Sequence, residues 1–78
     1  MRAEEILATA LAVPIESVPG DASIDTFEPW DSLGHVAVIE TLEAAIGRKL
    51  DANEVLTIVD LATIRSALER DGSAKAAR

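Results

Sequence analysis

The three prolines of this 78-residue chain all lie within residues 13–31, and no other feature of the sequence constrains the fold as strongly. Proline fixes φ and removes a backbone donor, so it breaks helices, and it biases the preceding residue towards extended geometry. Apolar residues recur at helical spacing on both sides of this segment, in residues 2–12 and 32–46. The pattern predicts two helices joined by a long connection. Five apolar residues are expected to hold that connection against the helices: Ile15, Val18, Ile24, Phe27 and Trp30.

Capping signals place the boundaries of the next two helices. The helix that begins at about Ser32 is expected to end at Gly47, because glycine is the commonest residue just past a helix C-terminus. A short third helix is expected to begin after Asp51, where Glu54 completes an acidic version of the capping box.

The last helix is expected to begin after Thr57, with Asp60 three positions on, and to run to about Asp71. No alternating strand pattern competes with the helical segments, so the sequence predicts an all-α fold. Its length predicts one domain, residues 1–72, followed by a disordered tail at residues 73–78.

Composition argues against several classes of protein. The chain has no cysteine and one histidine, so neither a disulfide framework nor a multi-histidine metal site is expected. No apolar run approaches the ~20 residues that span a bilayer, and the N-terminus has acids where a secretory signal needs basic residues. We therefore expect a cytoplasmic protein that does not contact membranes, and we also expect it to be a monomer.

The net charge of −7 is concentrated in residues 25–60, which carry eight acids and two bases. Such a surface repels nucleic acid, which binds through Lys and Arg, and it attracts basic protein surfaces. Solubility is the simpler explanation of the charge when it is taken alone.

The helix predicted at residues 32–46 has two distinct faces on a wheel of about 100° per residue. The core stripe consists of His35, Val38, Ile39, Leu42 and Ile46. A separate sector holds Leu33, Val36, Glu40 and Glu43. Apolar residues beside carboxylates are typical of a surface that docks a partner. Packing of the two apolar residues under the long connection explains the pattern equally well. A lone histidine in the core stripe is expected to be a hydrogen-bonded spacer.

Ser32 admits three interpretations. Serine is a preferred N-cap, since its oxygen accepts a hydrogen bond from a free backbone N–H. A helix N-terminus also favours a phosphate on this oxygen, and Asp31 offers a carboxylate that can help to hold magnesium during such a transfer. A catalytic triad with Asp31 and His35 is disfavoured, because His35 belongs to the core stripe and no G-x-S-x-G elbow is present. We expect no catalytic residue and no enzyme activity.

The stretch WDSLGHV, followed by an acidic helix, resembles the phosphopantetheine attachment motif of acyl carrier proteins of the free-standing type. The resemblance extends from Ile6 to about Leu68 and includes TIVDL at the predicted last helix. It implies a four-helix bundle with three main helices, a short third helix and a long first loop. It also implies that Ser32 is esterified to 4′-phosphopantetheine and that Asp31 assists the magnesium-dependent transferase. Four residues match positions that commonly contact partner enzymes: Leu33, Val36, Glu40 and Glu43.

The resemblance implies a carrier that holds an acyl or aminoacyl group as a thioester and delivers it to enzymes of a biosynthetic pathway. Its partners would be a phosphopantetheinyl transferase and the enzymes that load and remove the acyl or aminoacyl group. Gly34 and Ala37 stand where the commonest fatty-acid carriers have acids, which favours a specialised pathway. The alternative is a small helical interaction module, such as an inhibitor or scaffold subunit, without a prosthetic group.

Overall fold

The computed structural model describes residues 2–72, and these residues form four α-helices and no strand. The α-helices are α1 (Ala3–Leu11), α2 (Ser32–Ile46), α3 (Ala52–Thr57) and α4 (Leu61–Ala67). A 3-10 turn at Ile15–Ser17 lies in the long connection, and a π-type turn at Leu68–Gly72 continues α4. The prediction of an all-α fold is confirmed. The predicted tail at residues 73–78 lies outside the described residues.

The interpretation of Ser32 as the N-cap of α2 is wrong. Asp31 caps the helix, and Ser32 is its first residue. Asp31 Oδ1 accepts a hydrogen bond from the Gly34 N–H at 2.8 Å. Aspartate caps as well as serine does, and its charge also suits the positive end of the helix dipole. The predicted end of α2 is confirmed, since Gly47 has the left-handed φ of 79°.

The predicted start of α3 is confirmed, whereas the predicted start of α4 is wrong. Asp51 and Glu54 form the predicted capping box. Asp60, not Thr57, caps α4 by accepting from the Thr63 N–H at 2.8 Å. Thr57 is the last residue of α3, and Ile58 leaves the helix in extended geometry so that its side chain is buried.

The core lies between α1, α2 and α4. Its buried residues include the predicted α2 stripe, except that His35 is only half-buried. Trp30 is the largest buried side chain from the long connection, with Val18, Ile24 and Phe27 half-buried beside the core. Ile15 stays exposed instead of holding the connection in place. The buried residues of the helices are Ala3, Ile6, Leu7, Val38, Ile39, Leu42, Ile46, Leu61, Ile64 and Ala67.

A helix that crosses a membrane has to be both long and strongly apolar. None of the helices within residues 2–72 combines the two properties.

Candidate functional site

Ser32 lies exposed at the N-terminus of the 15-residue helix α2. Because Asp31 provides the cap, the Ser32 hydroxyl is not needed to start the helix. The first backbone N–H groups of an α-helix carry partial positive charge, which favours a negative group at this end. The structure thus presents a serine hydroxyl to solvent from the first residue of the longest helix of the described chain.

Gly34 lies close both to the end of α1 and to the connection that precedes α2. A Cβ at Gly34 would lie 2.7 Å from Leu11 Cδ2 and 2.8 Å from the Pro29 carbonyl oxygen. Only glycine fits here without a shift of the Leu11 side chain and of the Pro29 backbone, because real Cβ atoms do not approach other atoms this closely. The sequence showed Gly34 only as a departure from the carrier pattern. Its role depends on contacts with residues from two other segments.

His35 links the connection before α2 to α3. Trp30, which is 1% exposed, donates from Nε1 to His35 Nδ1 at 3.0 Å. The two rings are stacked at 27°, with their centroids 6.1 Å apart. His35 Nε2 lies 3.3 Å from the Val55 carbonyl oxygen. The prediction of a hydrogen-bonded spacer is confirmed. Both ring nitrogens are engaged away from Ser32, so the geometry does not pair His35 with the serine as a triad would require.

The apolar residues of the predicted docking sector are exposed. Leu33 is 83% exposed and Val36 is 56% exposed, so they do not pack under the connection. Leu56 of α3 is 75% exposed, and the contact from His35 to its neighbour Val55 brings this part of α3 beside the first turn of α2. Sequence analysis missed Leu56, because a six-residue helix is too short for a wheel to separate its faces. We call the exposed side chains of Leu33, Val36 and Leu56 the apolar patch, a shared surface that we infer from the contact between His35 and Val55.

The two acids of the same sector have different roles. Glu40 is exposed. Glu43, which the sequence places in the same docking sector, is largely covered, because its side chain is only 14% exposed. Glu43 Oε2 accepts from the Leu50 N–H at 2.8 Å, and Oε1 lies 3.6 Å from Lys49 Nζ. The left-handed turn at Gly47 brings the chain back to the helix, which a wheel of α2 alone does not include.

An ion-pair cluster fixes the start of α3. Arg48 contacts both carboxylate oxygens of Glu54, at 3.0 Å from Nη1 and 2.6 Å from Nη2. Its Nε and Nη2 each lie 3.1 Å from an oxygen of Asp71. The hydrogen bonds from Arg48 lower the pKa of Glu54 to about 2 and also lower the pKa of Asp71. The same contacts raise the pKa of the Arg48 guanidinium above its ordinary value. Arg48 therefore joins the end of α2 to α3 and to the turn after α4.

Asp31 is the predicted partner of Ser32 in a magnesium-dependent transfer. Within residues 2–72, the hydrogen bond of its carboxylate goes to Gly34 through Oδ1. In the same range, no three His, Cys, Asp or Glu side chains lie close enough together to hold a metal ion. Asp31 can thus offer one oxygen ligand, and a complete magnesium site would need ligands from a bound partner.

Comparisons of the chain with protein-family models, with curated proteins and with solved structures found no match.

Proposed function

We propose that this protein is a carrier of the acyl-carrier type, in which Ser32 is the attachment site for 4′-phosphopantetheine. The observation that carries the proposal is an exposed serine at the first position of α2 whose capping role is filled by Asp31. The WDSLGHV stretch and the order of helices, with a long first connection and a short α3, support it.

The site suits the attached group in charge and in access. A phosphodiester on Ser32 Oγ would place its negative charge at the positive end of α2. The serine lies at the surface, so the group needs no cavity in the protein. When attached, the arm supplies a thiol that holds an acyl or aminoacyl group as a thioester.

Ser32 Oγ acts as the nucleophile in the attachment step, on a transferase that binds coenzyme A. The oxygen forms a bond to the phosphorus next to pantetheine, and the diphosphate bond of coenzyme A breaks. The nucleotide leaves as adenosine 3′,5′-bisphosphate, and the hydroxyl proton passes to a base on the transferase. Asp31 would supply a carboxylate oxygen to a bound magnesium ion, whose charge would neutralise the phosphates.

Partner enzymes are proposed to bind the apolar patch and Glu40. Exposed apolar side chains on two neighbouring helices offer contact area, and Glu40 favours partners with a basic rim. Such a surface binds weakly and releases quickly. A tethered group compensates for weak binding, because attachment raises its effective concentration at the partner. Gly34 and Ala37 stand where the commonest fatty-acid carriers have acidic residues. This difference favours partners in a specialised pathway over partners in general fatty-acid synthesis.

A helical interaction module without a prosthetic group is the second candidate. The apolar patch is the observation that supports it, because an exposed apolar patch marks an interaction site whether or not a prosthetic group is attached. Intact mass separates the two candidates. The chain is incubated with coenzyme A, magnesium and a broad-specificity phosphopantetheinyl transferase. A carrier gains the mass of one phosphopantetheinyl group and the Ser32→Ala variant gains none. An unchanged wild-type mass would contradict the carrier function.

A further inference from the structure

Helix α3 depends on contacts from outside itself. It has six residues, none of them buried, and isolated helices shorter than about 12–15 residues are marginal in water. Its first turn is held by the Asp51–Glu54 capping box and by Arg48. Further along the helix, the Val55 carbonyl is contacted by His35 at 3.3 Å.

The two contacts of His35 require one tautomer. An indole N–H is only a donor, so His35 Nδ1 must accept from Trp30. The ring proton of neutral histidine then lies on Nε2, which donates to the Val55 carbonyl oxygen. Trp30 is buried, so its N–H would lose its partner if His35 turned away, and an unpaired buried donor is costly. The His35 ring is therefore fixed at Nδ1 by the buried Trp30, and it holds α3 through Nε2.

The contact bears directly on the apolar patch. Val55 immediately precedes Leu56, which is largely exposed and gains little support from its own packing. Leu33 and Val36 stand on α2 on either side of His35 in sequence. We propose that His35 is a positioning residue, which uses its hydrogen bonds to Trp30 and Val55 to hold Leu56 in place beside Leu33 and Val36 for binding of the phosphopantetheinyl transferase.

The inference rests on the proposed function for its effect on partners, while the alignment of α3 can be measured separately. Two variants test it. His35→Leu fills a similar space without hydrogen bonds, and His35→Gln retains an acceptor and a donor. Thr41→Val is the matched control, because it removes another half-buried hydrogen bond of α2, from Thr41 Oγ1 to the Ala37 carbonyl at 2.7 Å.

Amide hydrogen exchange measures how firmly α3 is held, without any partner. The Val55 and Ile58 amides report on α3, since they donate to the Asp51 and Glu54 carbonyls. We expect both amides to exchange about tenfold faster in His35→Leu than in the wild type. The amides of α1 should exchange at unchanged rates. In His35→Gln, the Val55 and Ile58 amides should recover much of their protection. Thr41→Val should leave α3 unchanged. Equal α3 rates in His35→Leu and the wild type would overturn the inference.

Kinetics with the transferase measure the effect on recognition. Misalignment of the patch weakens binding and leaves the chemistry at Ser32 intact, so His35→Leu should raise KM about five- to tenfold with little change in kcat. His35→Gln should restore most of the affinity. An unchanged KM in His35→Leu, or an equal increase in both variants, would overturn the positioning role. If the wild type is not modified at all, the proposed function and the recognition effect both fail, and the exchange rates alone decide whether His35 holds α3.

Discussion

At the residue scale, Asp31 and Ser32 have different roles at the start of α2. Either residue type can cap a helix, and both stand at the start of α2. The structure assigns the cap to Asp31, whose carboxylate binds the Gly34 N–H, and places Ser32 one position further in. Substitution of the two residues should therefore have different effects on folding.

Ser32→Ala is expected to change the free energy of unfolding by less than about 0.5 kcal/mol, as is usual for an exposed side chain without a structural contact. Asp31→Ala is expected to cost about 0.5–2 kcal/mol, because it removes the cap. Urea denaturation of both variants measures the difference. A larger loss in Ser32→Ala than in Asp31→Ala would show that the cap is assigned to the wrong residue.

Gly34 makes a second prediction at this scale. Gly34→Ala should destabilise the fold by about 1–3 kcal/mol, because the new methyl group would overlap Leu11 and the Pro29 carbonyl. Gly20→Ala is the matched control, since a Cβ at Gly20 meets nothing within 4 Å. Thermal melts of the two variants should separate clearly. Equal melting temperatures would mean that the chain around Ser32 is packed less closely than described.

At the scale of the elements, local signals predicted helix boundaries where the deciding contacts are local. The capping box of Asp51 and Glu54 and the glycine after α2 involve neighbours in sequence, and both were predicted. The start of α4 was not predicted correctly, because Thr57 and Asp60 are both good N-cap residues. The choice depends on distant contacts, including the hydrogen bond from the Ile24 N–H to the Val59 carbonyl at 2.8 Å.

The Arg48 cluster predicts how stability depends on pH. Arg48 lowers the pKa of Glu54 from 4.5 to about 2, so the folded chain binds this proton less readily than the unfolded chain does. The stabilisation is complete above the unfolded pKa of about 4.5 and is lost as the pH falls towards 2. Asp71 acts with the same sign.

Melting temperatures between pH 6 and pH 2 test the cluster, with steps of about half a unit. The wild type should lose stability more steeply over this window than Arg48→Met. Lys49→Met is the matched control, because it removes the same charge from a side chain that is 90% exposed. Parallel curves for the wild type and Arg48→Met would contradict the assigned role of the cluster.

At the scale of the whole molecule, much of the negative charge has a structural role in addition to any role towards a partner. The net charge is −7, and residues 25–60 carry eight of the acids. Five of these acids cap helices or bind the chain: Asp31, Glu43, Asp51, Glu54 and Asp60. The other three, Asp25, Glu28 and Glu40, are exposed, and Glu40 is the one that lies on α2, so its part in steering can be tested by itself.

Glu40→Lys should fold normally and be modified more slowly by a basic transferase. The deficit should shrink as salt rises, because exposed charges are screened over about 10 Å at 0.1 M. Glu16→Lys, at an exposed position in the long connection, changes the net charge equally. The same slowing in both variants would attribute the effect to net charge and would remove Glu40 from the docking surface.

The most direct test of the central claim is the position of the attached group after reaction with the transferase and coenzyme A. Cleavage after Arg and Lys leaves residues 3–48 as one peptide, which contains Ser17, Ser23 and Ser32. Fragmentation of this peptide in a mass spectrometer should place one phosphopantetheinyl group on Ser32, and the peptide from Ser32→Ala should stay unmodified. An unmodified wild-type peptide, or a group on another serine, would contradict the assignment of Ser32 as the attachment site.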